Sequence, residues 1–197
     1  MTDHTDDTVA LTQLILLERQ SRDRNRWDVM ARCLAPDAAI RLSWFTGSGA
    51  DFVSASREMA DRGQRSTHRM SPPVVDVRGA RAVVEAGAAI ELRDEFGGVE
   101  VDVTSYTRLL YRCAKRAGEW LIVGLDPVYE RDTMIAVVPG QVPPLDHTQL
   151  AKHRASYRFL SYLLTTRGYP VDDGLYGDDQ PDRVRLLYNE VHEWLAA

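Results

Sequence analysis

Four β-rich runs follow one another between residues 67 and 131: THRMSPPVVDV, ARAVVEAGAAIELR, VEVDVTSYTRLLYRC and EWLIVGLDPVYER. The breaks between them, RGA, DEFGG and AKRAG, are short and each contains a glycine. Connections that short join neighbouring strands of opposite direction, so this part of the chain is predicted to form an antiparallel meander of long strands. Such a sheet has an apolar face to cover, and the segment before it offers the cover. TVALTQLILLERQSR (8–22) places apolar side chains at 10, 11, 14, 15, 16 and 17, a helical period broad enough for a helix buried over much of its girth. Trp27, Met30, Ala31 and Leu34 form an i, i+3, i+4, i+7 face on a second, short helix, with Asn25 as its N-cap and its end at the Ala35–Pro36 step. AAIRLSWF (38–45) reads as a strand, and DFVSASREMADR (51–62) as a third helix with Phe52, Ala55 and Met59 inward. Helices first and a curved antiparallel sheet second make an α+β arrangement.

A Pro-rich connector, VVPGQVPPLD (137–146), then leads to two further amphipathic helices. The first starts at a capping box of Asp146 and Gln149, carries Leu150, Tyr157, Leu160 and Leu164 on one face, and stops at Gly168. The second starts near Pro181, with Val184, Leu187, Tyr188, Val191 and Leu195 inward. The expected division is a domain over 1–136 and a helical extension over 137–197. The extension's apolar faces need either the mouth of that domain or a partner subunit.

Composition narrows the function classes. Of 197 residues 44% are hydrophobic, enough for one domain with a real core, and the formal net charge is -5. The 24 Lys and Arg residues are interspersed with acids and form no basic face, so nucleic acid is not an expected partner. No apolar run reaches the roughly 18 residues needed to span a bilayer, and the start MTDHTDDTV is acidic where a secretory signal is basic and then apolar. A soluble, cytoplasmic protein with no membrane association is expected. Cys33 and Cys113 have no metal or disulfide spacing and are expected as buried thiols. No metal and no cofactor are expected.

Asp23 stands out at the end of the first helix, in RDRNRW. It follows Leu16 by seven residues, which places it near the apolar face. The helix macrodipole opposes a carboxylate at this end, and Asn25 is available to cap the next helix, so local stability offers Asp23 little. Two environments are open to it: ion pairing with Arg22, Arg24 or Arg26 in solvent, or a tertiary partner. His68, in RSTHRM, is a candidate for that partner or an ordinary strand histidine. A carboxylate that orients an imidazole makes a good general base, because histidine titrates near working pH. Trp44, Tyr106 and Tyr129, on predicted strands, are candidates to line a pocket for a flat or cyclic ligand, or to sit in the core or on the outer face. Arg22 is a candidate to hold an anionic or carbonyl oxygen, or a solvated helix-end arginine.

A helix ending in an acid, then WD, LAPDA, a strand, a helix and a meander whose last hairpin carries GEWLIVGL resembles the SnoaL-like, NTF2-like superfamily. Within it the pattern is most similar to the scytalone dehydratase and lindane dehydrochlorinase branch. The resemblance covers residues 8–131. It implies an NTF2-like (cystatin-like) cone with an apolar pocket between sheet and N-terminal helices, a homodimer or homotrimer, and a catalytic dyad falling on Asp23 and His68. The two carbonyl-polarising tyrosines of the dehydratase fall on Arg22 and Leu42, its second pocket histidine near Ile90, and its Ser and Asn pair on Ser105 and Thr107. These departures argue against scytalone itself. The implied activity is that of a cofactor-independent lyase or isomerase on a small, largely apolar, cyclic substrate, with His68 as base. A SnoaL-type polyketide cyclase and a non-catalytic small-ligand-binding or dimerisation module are the alternatives.

Overall fold

The computed structural model describes residues 5–197. Helix α1 (Thr5–Asp23) is followed by α2 (Trp27–Cys33), β1 (Leu34–Arg41), the two-residue β2 (Thr46–Gly47) and α3 (Gly49–Asp61). The sheet segment holds β3 (Thr67–Met70), β4 (Val74–Arg78), β5 (Arg81–Phe96), β6 (Val99–Arg116) and β7 (Glu119–Ala136). The remainder is α4 (His147–Leu150), a 3-10 turn (Ala155–Tyr157), α5 (Arg158–Thr166), β8 (Tyr176–Gly177) and α6 (Pro181–Ala196).

The long meander is β5–β6–β7, closed by two-residue turns at Gly97–Gly98 and Ala117–Gly118 with positive φ at both positions, the type I′ geometry that matches strand twist. The expected first β run is split: Pro72 and Pro73 lack the N–H groups a ladder needs, so β3 and β4 pair separately with β5. The sheet is also mixed, since β1 lies parallel to β7, with Ala39 opposite Gly124 and Ile40 opposite Leu125. No hairpin links these two strands, so nothing local imposes an antiparallel direction. Register shifts between Tyr106 and Thr107 and between Arg112 and Cys113 insert extra residues into β7. Such bulges sharpen twist and curve the sheet toward α1.

Inside the curve, Leu11, Ile15, Met30 and Phe52 pack on Val84, Leu109, Tyr111, Ile122 and Leu125. Further along the same sheet, Leu92, Val101 and Val103 meet Tyr157, Leu160, Leu163 and Leu164. On the outer face, Leu187, Val191 and Leu195 of α6 cover Val83, Leu110 and Val128. Both C-terminal apolar faces are thus covered within the chain. Cys33 and Cys113 are buried free thiols. No helix among the described residues is long and apolar enough to cross a membrane.

The first C-terminal helix differs from expectation. Asp146 does cap α4, accepting from the N–H groups of Thr148 and Gln149, but the helix stops after one turn. Arg154 interrupts it: its guanidinium reaches the Leu175 and Asp173 carbonyls and the Asp179 carboxylate, contacts that a continuous helix would not allow it to make. The chain re-enters a helix at α5, where no adjacent side chain caps it. Asp132 of β7 does so from across the fold, accepting from Leu160 N–H at 2.8 Å and from the amides of Arg158 and Phe159.

Asn25 also has a different role from the expected N-cap. It adopts φ 57° just past α1; the Arg26 N–H bonds to the Ser21 carbonyl and the Asn25 N–H to that of Arg22. This is a Schellman closure of α1, with asparagine as one of the few residues that tolerate the left-handed region. Asn25→Gly is expected to leave stability within about 0.5 kcal/mol, whereas Asn25→Val should lower it by about 1–2 kcal/mol, read from urea unfolding.

Candidate active site

The closure at Asn25 makes Asp23 the last residue of α1 and turns the chain away beyond it. Both Asp23 oxygens go to one residue. Oδ2 accepts from the backbone N–H of His68 at 2.7 Å and Oδ1 lies 2.7 Å from its Nδ1. The side chains are 8% and 5% exposed. Strand β3 holds His68 opposite Ile90 on β5, so two separate elements fix the ring. A carboxylate can only accept, so Nδ1 carries the proton and the neutral ring keeps its lone pair on Nε2.

Burial lowers the His68 pKa below its usual value; the Asp23 hydrogen bond opposes this, and the Arg19 and Arg22 charges reinforce it. For Asp23, burial works against ionisation but is outweighed by the bonds from His68 and the charge of Arg22, which hold its carboxyl below the usual range. At neutral pH the pair is therefore a carboxylate and a neutral imidazole.

The buried stripe of α1 runs Leu11, Ile15, Glu18, Arg19, Arg22, so its C-terminal half brings charges inside. Glu18 and Arg19 form a bidentate ion pair, and the Arg19 guanidinium lies over the Phe52 ring. Arg22 donates from Nη1 to Ser66 Oγ at 2.8 Å and lies 5.4 Å from the Trp44 ring centroid. Its Nε has no acceptor among the described residues. Burial, reinforced by the Arg19 charge, lowers the Arg22 guanidinium to about 10, still charged at neutral pH.

His68 lines a mainly apolar cavity that is partly open to solvent. Ile90, Leu92 and Leu109 form its sheet wall, and Leu160, Leu164 and Arg167 close it from the C-terminal segment. Of the residues singled out in the sequence, Arg22, Trp44 and Tyr129 line it, as do Leu42 and Ile90 at the positions where the dehydratase has polar groups. Tyr129 accepts from the Ser43 N–H at 3.0 Å, and burial pushes its phenol up to about 12.

Ser105, Tyr106 and Thr107 are not among the lining residues. Ser105 is fully buried within the sheet layer with no partner for its hydroxyl among the described residues, and Thr107 spends its hydroxyl on the Val128 carbonyl at 2.9 Å. Alternation turns Tyr106 to the other face, where the Arg131 guanidinium lies 4.4 Å from its ring centroid. The sequence reading missed Glu18, Arg19 and, in the C-terminal segment, Arg167. The first two had a legible signal, since they continue the spacing of Leu11 and Ile15. No group of three or more His, Cys, Asp and Glu among the described residues is arranged to hold a metal.

A concave mixed sheet closed by N-terminal helices around an apolar cavity defines an NTF2-like, cystatin-like α+β cone. The chain belongs to the SnoaL-like domain family, whose model matches residues 3–126. It is 33% identical over 169 residues to Pea pathogenicity protein 2 of Fusarium vanettenii, covering 81% of this chain and 72% of that protein. Among solved structures it is similar to a putative scytalone dehydratase from Novosphingobium aromaticivorans (TM-score 0.56, 18% identity, 74% of this chain and 98% of that one). It is similar also to a type 2 hexachlorocyclohexane dehydrochlorinase, LinA (TM-score 0.56, 12% identity, 71% and 96%).

The electrostatics can be tested directly. The His68 ring is expected to titrate below 6.5 in an NMR pH series. Asp23→Asn should move its midpoint lower still, and Arg22→Gln should move it up, because the first removes a group that favours the imidazolium and the second one that opposes it.

Proposed function

We propose that this protein is a cofactor-independent lyase or isomerase. His68, oriented by Asp23, takes a proton from a small, largely apolar, cyclic substrate in the cavity. The observation that carries this reading is the two-point Asp23–His68 contact, which fixes the tautomer and leaves Nε2 as the ring's basic atom beside an apolar space. Among the solved neighbours, the names dehydratase and dehydrochlorinase denote eliminations, which is consistent with it. Trp44 and Tyr129 serve as contacts for a flat substrate. Residues 137–197 serve as a lid, since Leu160, Leu164 and Arg167 form part of the wall. Water exclusion there keeps the base potent.

The test is turnover of a panel of cyclic β-hydroxy ketones and enones, followed by mass spectrometry. Loss of water marks elimination; an unchanged mass with a new retention time marks isomerisation or cyclisation. Folded His68→Ala should lose about 10²–10⁴-fold in kcat/KM, and near-normal turnover in that variant sinks the proposal. The reaction needs the neutral ring and the folded-state pKa lies below 6.5, so the rate should be level around pH 7. It should fall only as acidity protonates Nε2, with the limb below pH 6.5.

A further inference from the structure

Ile90, Leu92 and Asp94 are successive side chains on one face of β5. Ile90 lies opposite His68, and both Ile90 and Leu92 line the cavity. Asp94 ends the row: its Oδ2 accepts from Nε of Arg167 at 2.8 Å, and Arg167 lines the same cavity. Across from that row, Leu160, Leu164 and Arg167 follow one another at i, i+4 and i+7 along α5 and its C-cap. The imidazole and this guanidinium therefore stand at opposite ends of one apolar wall. Four residues of strand separate the levels of Ile90 and Asp94, about 13 Å.

Arg167 ties α5 to β5 with only part of its guanidinium. Nε and Nη2 bond to Asp94 Oδ2, and Nη2 also reaches the Arg93 carbonyl at 3.4 Å. Its Nη1 meets no acceptor among the described residues, although the side chain is only 13% exposed. Asp94 has nothing further to offer, since its Oδ1 accepts from the Glu95 N–H at 2.8 Å. Gln64, also on the cavity wall, accepts at Oε1 from the hydroxyl of Tyr169, two residues beyond Arg167, while its amide N–H groups meet no acceptor among the described residues. This end of the cavity thus presents donors whose neighbouring acceptors are already engaged. Donors in that position, held in place and largely dehydrated, favour an incoming acceptor.

We infer that this end is a second polar subsite, and that the substrate is an elongated molecule with an acceptor oxygen (a carbonyl, ether or hydroxyl) at the end remote from the C–H that gives its proton to His68. Arg167, assisted by Gln64, receives that oxygen and determines specificity without entering the proton transfer. The orientation rests on the reading of His68 as base; the subsite itself does not. Allowing about 3 Å for contact at each end leaves roughly 7 Å, the length of two fused six-membered rings and not of one. Asp94 already neutralises Arg167, so a neutral oxygen suits this end better than an anionic group. A wholly apolar end would leave both donors dehydrated and unpaired.

The test is binding of two inert probes of nearly the same shape, 2-methoxynaphthalene and 2-ethylnaphthalene, to the intact protein by equilibrium dialysis. They differ by one oxygen in place of a methylene. The preference of wild type for the ether over the hydrocarbon should exceed that of Arg167→Met by about tenfold, while the hydrocarbon binds the two proteins within about twofold. Gln64→Leu provides the same readout if the methionine variant does not fold, with a loss of preference of about threefold. Equal preferences in wild type and a folded variant overturn the subsite. A variant that weakens both probes alike also overturns it, because that is the mark of a contact that only holds α5 in place. The preference should stand in His68→Gln; if it vanishes there as well, the oxygen lies at the other end and the orientation is wrong. Failure of the base reading is told apart by near-normal turnover in His68→Ala with the probe preference intact.

Discussion

Four charged side chains at the end of one helix, Glu18, Arg19, Arg22 and Asp23, are removed from water, and the fold depends on what each meets there. Unpaired, any one of them would cost several kcal/mol. Glu18 and Arg19 satisfy one another, Asp23 is satisfied by a strand far along the chain, and Arg22 by a hydroxyl and an aromatic face. Ion pairs of this kind contribute little net stability over apolar packing of the same volume. Their placement here is therefore better understood as serving the cavity than as holding α1 down, a task already met by Leu11, Ile15 and Phe52.

The curvature of the sheet brings these parts together. The bulges in β7 and the type I′ turns let the β5–β7 ribbon wrap, so that β3, at one edge, presents His68 to the end of α1, while β1 and the turn after it bring Trp44 and Ser43 from the other side. The outer face is closed by a separate charge network: Tyr188 of α6 bonds to Glu85 at 2.8 Å, and Arg108 lies between Glu130 and Asp178. The last helix is thereby tied to the same strands whose opposite side carries the cavity.

Much of this was legible from residue patterns. The meander follows from alternating apolar strands and glycine-containing breaks, and α1, α3 and α6 from their periodicity. Asp23 stands at a position unfavourable for a helix end, and the family resemblance implied His68 as its partner. What was not legible has physical causes. The direction of β1 against β7 is set by no local turn. The break at Arg154 depends on carbonyls and an acid that come near only after folding. Asn25 carries the same sequence signal whether it caps the following helix or ends the preceding one. Ser105 and Thr107 alternate correctly for the concave face, yet both are buried and neither lines the cavity, so alternation alone does not place a hydroxyl there.

The cap of α5 has a consequence for how such a protein can change over time. The helix is nine residues long and takes its N-terminal acceptor from Asp132 on β7 instead of from its own sequence. Its inward residues, Leu160 and Leu164, shape the cavity yet touch neither Asp23 nor His68 through any hydrogen bond or ion pair. Substitutions there can resize the chamber while the anchoring acid keeps the helix docked and the Asp23–His68 contact stays as it is. The shape of the cavity and the Asp23–His68 contact are thus encoded in different stretches of the chain and can diverge independently.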